Sequence, residues 1–118
     1  MRWSLNASSP IWMQLCQQIE DRVLTGQYPQ GERLPSVRDL AAEAGVNPNT
    51  MQRALVALEE KGLLVSNRTA GRTVTSEKER VEALRQQHAR ESARQYVQRM
   101  EYLGYSRAEA ARFAEEEV

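Results

Sequence analysis

The chain is poor in the residues that build covalent or metal scaffolds. Its one cysteine, Cys16, excludes an intrachain disulfide and any multi-cysteine metal site. Its one histidine, His88, lies in a polar stretch with no cysteine or paired carboxylates around it in sequence. His88 therefore reads as a surface or interface residue, and neither a catalytic nor a metal site is expected. Charge of one sign is also missing: 16 basic residues balance 16 acidic ones. A nonspecific nucleic-acid coat, basic overall, is disfavoured, whereas a sequence reader with locally arranged charge is not. No apolar run approaches a membrane span, and the opening MRWSLNASS lacks the apolar centre of a signal peptide. The expectation is a cytoplasmic protein with no membrane partner, no cofactor and no enzymatic activity.

What is present is concentrated in residues 34–62, LPSVRDLAAEAGVNPNTMQRALVALEEKG. Asn47 is a good N-cap, and Pro48 suits the first helical position, where its missing N–H costs nothing. Gly62 can take the left-handed conformation that ends a helix, so one helix is predicted at about 47–61. Met51, Ala54, Leu55 and Leu58 recur at helical spacing and form an inward stripe. Asn49, Thr50, Gln52 and Arg53 fall off that stripe near the N-terminal end. Groove-reading helices contact base edges from that end, with amide, hydroxyl and guanidinium groups. A preceding helix at about 36–44 has Ser36 as N-cap, Asp39 at the capping-box position, and Val37, Leu40, Ala41 and Ala44 on its apolar side. Gly45 permits the turn, and Val46 plugs the gap between the helices. Arg38 points off the apolar stripe, where it could clamp a phosphate. The pattern is a helix-turn-helix.

The flanks supply the remaining parts. Residues 2–5, RWSL, could form a short strand, with Trp3 as a packing residue. Ser9-Pro10 opens a first helix at about 10–25, with Trp12, Leu15, Cys16, Ile19 and Val23 on one face. Cys16 on that face reads as a buried thiol. Residues 27–33 read as a turn-rich loop. After Gly62, LLVSN and TVT are β-prone and flank RTAGR, which predicts a hairpin at about 66–73. A hairpin at this place is a wing, with Arg68 and Arg72 bracketing its tip. Over residues 47–75 the basic residues Arg53, Lys61, Arg68 and Arg72 outnumber Glu59 and Glu60.

From Ser76 the composition changes to Glu, Arg, Gln and Ala, with no Gly or Pro before Gly104. This predicts a long helix at about 77–103, and the alternation of Arg and Glu along it is a solvated face. Ser106 with Glu109 forms a capping box for a last helix, with Tyr105 as staple. The apolar residues Ala93, Tyr96, Val97, Met100, Leu103 and Phe113 are too few for a separate core. They are expected to pack on a second copy, in a homodimer that presents two reading helices to a pseudo-palindrome in double-stranded DNA. The predicted class is mostly α: a winged helix-turn-helix domain at 1–75 and a two-helix dimerisation tail at 76–118.

The stretch from Pro10 through Leu64 resembles the winged-helix domain of the GntR family of bacterial transcription regulators. LPSVRDLA and VNPNT are its most specific parts, and LGYSRAEAARF resembles the tail of the YtrA subfamily, whose members add two helices. The resemblance implies DNA contacts at Arg38, Asn47, Asn49, Thr50 and Gln52 and in the wing at Thr69 to Gly71; the residue pattern adds Arg53, Arg68 and Arg72 as expected DNA-binding residues. Other branches place arginine at the positions of Pro48 and Gln52. The family's usual Arg-Gly-x-Gly-Thr wing is here Arg68-Thr69-Ala70-Gly71-Arg72. The resemblance further implies repression of a nearby operon, often one linked to ABC transporters, and a small-molecule effector whose identity no residue reveals. The stretch after Thr75 is too short for a separate effector domain. The alternative is a winged-helix protein-interaction module, because a fold alone does not fix function. Such a module would show apolar or acidic residues at 49, 50, 52 and 53.

Overall fold

The structure, a computed structural model, describes residues 2–118. Its elements are α1 (Ile11–Leu24), α2 (Val37–Ala44), α3 (Pro48–Glu60), β1 (Leu64–Asn67), β2 (Gly71–Val74), α4 (Lys78–Tyr102) and α5 (Arg107–Glu116). The chain divides into two compact units, the first running to Glu82 and the second Ala83–Val118. None of the described helices is long and apolar enough to cross a membrane.

In the first unit α1, α2 and α3 surround one core. Leu15, Ile19, Leu40, Met51, Leu55 and Leu58 are fully buried there. Each such side chain contributes about 1.5–3 kcal/mol through removal from water. All four residues of the inward stripe on α3 are buried. Cys16 joins this core, and its Sγ donates to the Ala54 carbonyl oxygen at 3.3 Å. Burial pushes the Cys16 thiol up, Glu20 adding to that and Lys61 opposing it, which suits a packing role.

Local signals set the helix ends. Ser36 Oγ accepts from the Asp39 amide at 3.1 Å, and Asn47 Oδ1 accepts from the Asn49 amide at 2.7 Å. Gly45 closes α2 at φ 72° and Gly62 follows α3 at φ 79°, both left-handed. The Leu63 amide donates to the Leu58 carbonyl at 3.1 Å, completing a Schellman motif. Gly62 has a second constraint. Arg80 Nη1 donates to the Lys61 carbonyl at 3.3 Å, and a Cβ on Gly62 would lie 2.0 Å from that nitrogen.

The wing is a two-stranded antiparallel sheet with Leu64 opposite Val74 and Asn67 opposite Gly71. The turn-rich loop before α2 is more ordered than its composition suggests. Arg33 forms an isolated bridge with Thr73. The Leu34 amide donates to the Arg72 carbonyl, and the Val74 amide to the Glu32 carbonyl, each at 2.9 Å. The loop thus lies along β2 on the side away from β1.

Residues 2–5 do not form the expected strand. Their backbone partners are side chains of α1 and not a sheet edge. Ser4 N donates to Gln18 Oε1 at 3.0 Å, and Gln18 Nε2 donates back to the Ser4 carbonyl at 2.7 Å. Trp3 packs as expected, its ring 3.7 Å from the buried Arg22 guanidinium. Trp3 Nε1 donates to Glu43 Oε1 at 3.1 Å, and Arg22 pairs with the same carboxylate at 3.8 Å.

The second unit is a helical hairpin. Gly104 turns the chain at φ 97°, and the Tyr105 amide donates to the Met100 carbonyl at 3.0 Å. The capping box is complete: Ser106 Oγ accepts from the Glu109 amide, and Glu109 Oε1 accepts from the Ser106 amide. Hydrogen bonding from the Ser106 amide, and then from its side chain, holds the Glu109 carboxyl below its ordinary value. Tyr105 meets the edge of Phe113 at 5.1 Å, and Tyr96 Oη donates to the Ala110 carbonyl at 2.8 Å. Ala110 is the one buried apolar residue in this unit, while Tyr102 and Leu103 are 81% and 52% exposed.

Candidate nucleic-acid interface

The N-terminal end of α3 presents a polar edge built on the buried stripe. Asn47, Asn49, Gln52 and Arg53 are exposed and Thr50 is half-buried. Asn47 also caps the helix, so its carbonyl oxygen already holds a backbone amide and its amide nitrogen is the group left to face a ligand. The Arg53 guanidinium stacks over the Trp12 ring at 4.3 Å. This contact orients a flexible cation without neutralising it.

Arg38 is exposed on the first turn of α2. Between that turn and the wing lies an open hollow of about 330 Å³, lined by Arg33, Ser36, Ser66, Asn67 and Arg72 among others. Arg33 belongs to this face and has no sequence signal of its own. Only the bridge between the loop and β2 brings it there. At the wing tip Arg68 and Thr69 are exposed, in the turn between the strands. Gly71 adopts φ 70° at the start of β2, a conformation other residues rarely take.

The two wing arginines differ. Arg68 faces outward, whereas Arg72 folds back onto α3. Arg72 Nε donates to Glu59 Oε1, and its Nη1 donates to Gln52 Oε1 at 3.4 Å. Glu59 also accepts from Ser66 Oγ at 2.9 Å. Burial pushes the Glu59 carboxyl up, but the hydrogen bonds from Arg72 and Ser66 and the arginine's charge outweigh it and hold the group below its ordinary value. Spacing along the chain gives no hint of this cross-element pair.

The arrangement offers donors and cations on one helix edge, one helix start and one hairpin, with no acidic or apolar residue at 49, 50, 52 or 53. The family described as "Bacterial regulatory proteins, gntR family" matches residues 13–74, which span α1 through β2. The chain belongs to the GntR family. Its relatives include the uncharacterized HTH-type transcriptional regulator YhcF of Bacillus subtilis, 34% identical over 87% of this chain and 85% of YhcF. A GntR family transcriptional regulator from Listeria monocytogenes superimposes with a TM-score of 0.88 at 32% identity, covering 95% of this chain and 98% of that one. YtrA from Sulfolobus acidocaldarius, a GntR-family transcription factor, superimposes with a TM-score of 0.58 at 33% identity, over 78% of this chain and 96% of its own. This GntR protein is therefore a DNA-binding transcription regulator and not an enzyme.

Proposed function

We propose that this GntR protein is a cytoplasmic homodimeric repressor of a nearby operon, one that could encode an ABC transporter, and that it binds a pseudo-palindromic operator. The observation that carries the reading is the polar, uncharged-to-basic edge of α3 standing on a fully buried stripe. Asn47, Asn49, Thr50, Gln52 and Arg53 enter the major groove and meet base edges. Arg38 and Arg68 neutralise phosphates on either side, and Thr69 and Gly71 bring the wing backbone close to the duplex. Arg72 braces the wing against α3.

The second unit supplies the dimer contact. Tyr96 on α4, Leu103 just after it and Phe113 on α5 are between 37% and 52% exposed, and Ala93, Val97 and Met100 lie with Tyr96 on α4. An apolar set without a core of its own is suited to a second copy related by two-fold symmetry. A small-molecule effector would act by shifting the spacing of the two reading heads.

Footprinting on DNA upstream of the protein's own gene tests the reading. A protected pseudo-palindrome is expected, and absence of protection there would sink it. Arg38→Ala should weaken binding on every sequence and reduce the slope of log affinity against log salt by about 1. An unchanged slope removes Arg38 from the interface. Leu103→Glu should convert the dimer to monomer in sedimentation, and a persisting dimer would move the interface elsewhere.

A further inference from the structure

Gln52, on the outer edge of α3 near its N-terminal end, carries a side-chain partner from the wing. Arg72 Nη1 donates to its Oε1 at 3.4 Å. The same guanidinium is clamped through Nε by Glu59, with the two side chains only 17% and 27% exposed. Glu59 follows Gln52 by seven residues, two helical turns, so both lie on one side of α3. Ser66 on β1 fixes the same carboxylate at 2.9 Å. A guanidinium donates at every nitrogen and accepts at none, so the amide atom facing it must be the carbonyl oxygen. Gln52 therefore turns its Nε2 amide group, a pure donor, away from the wing.

We propose that Arg72, held by Glu59, is a positioning residue that sets the hydrogen-bond polarity of Gln52, making it a donor that rejects cytosine on the contacted strand. The inference rests on the reading of Gln52 as a base contact. In the major groove guanine offers N7 and O6, adenine N7 and thymine O4 as acceptors, whereas cytosine offers its N4 amino donor. An amide free to turn over can match any of them. An amide held by Arg72 suits the acceptors and meets cytosine donor to donor. The wing thus sets what α3 reads through a residue that need not touch a base.

The test selects binding sites from a randomised duplex DNA library with the full chain, as wild type, Gln52→Ala, Glu59→Gln, Arg72→Ala and Arg72→Lys, and sequences the bound fraction. Gln52→Ala should flatten the base preference at one position of the site. There, wild type should disfavour cytosine by about tenfold, the low end for one good base contact. Glu59→Gln and Arg72→Ala should reduce that penalty to about twofold or less while other positions keep their preferences. Arg72→Lys, which keeps a donor cation beside Oε1, should retain most of it. A penalty unchanged in Glu59→Gln and Arg72→Ala, with affinity falling evenly on all sequences, overturns the inference and leaves base reading by Gln52 intact. If no position responds to Gln52→Ala, base reading by Gln52 falls and the inference with it. Thermal melts identify any variant that is unfolded, and Glu59→Gln, a near-isosteric change, then decides alone.

Discussion

Helices α3 and α4 are built on opposite principles. α3 has 13 residues and buries four of them; α4 has 25 and buries one, Val81. The shorter helix is held by tertiary packing, so its register and rotation are set and its outer edge is aimed. The longer helix relies on local pairs such as Arg94–Glu91 at 2.8 Å and on whatever covers its apolar residues. An edge that must meet a duplex in one register belongs on the first kind, and the second kind suits the dimer contact proposed above.

The contrast can be broken most severely at its packed end. Leu58→Ala, at a site with no exposure, should cost about 2–5 kcal/mol in denaturant unfolding and abolish DNA binding at moderate temperature. A cost below about 1 kcal/mol would mean that α3 is not core-supported. Gly62→Ala should cost about 1–2 kcal/mol from the left-handed conformation, with an addition for displacing Arg80. Arg80→Ala combined with Gly62→Ala should recover the added part, and full additivity would deny the contact. In the second unit, Ser106→Ala should cost about 1 kcal/mol of helix stability, read by the loss of helical circular dichroism on heating. Arg94→Ala should change stability by no more than about 0.5 kcal/mol, as exposed pairs do. A larger loss would show that this pair is buried by a partner.

Acid offers a finer probe of the wing. The lowered Glu59 carboxyl contributes stability that is fully present above the ordinary glutamate range and lost as pH falls through the folded value. Wild type should therefore lose more stability than Glu59→Gln below about pH 4. Parallel curves would remove the pair from the stability of the wing.

The readable parts of the sequence were those whose causes are local. Asn47-Pro48, Gly62 and Ser106 with Glu109 set helix ends through neighbours a few residues away, and the structure places those ends within a residue or two. The stripe on α3 was readable because burial imposes helical periodicity. What escaped depends on distant partners. Residues 2–5 have a strand-like composition, but the side chains of Gln18 and Arg22 on α1 bond their backbone. Arg72 sits where a tip residue is expected, yet a carboxylate 13 positions earlier draws it inward. Arg33 reaches the candidate interface through a bridge between loop and strand that no pattern announces.

That bridge changes the thermodynamics of association. The loop before α2 is bonded to β2 through backbone groups, so the start of α2 and the wing are already fastened to each other. Two independently mobile elements would each lose conformational freedom on docking to a duplex. Here much of that loss is incurred during folding, so a larger share of each proposed phosphate contact would remain as affinity.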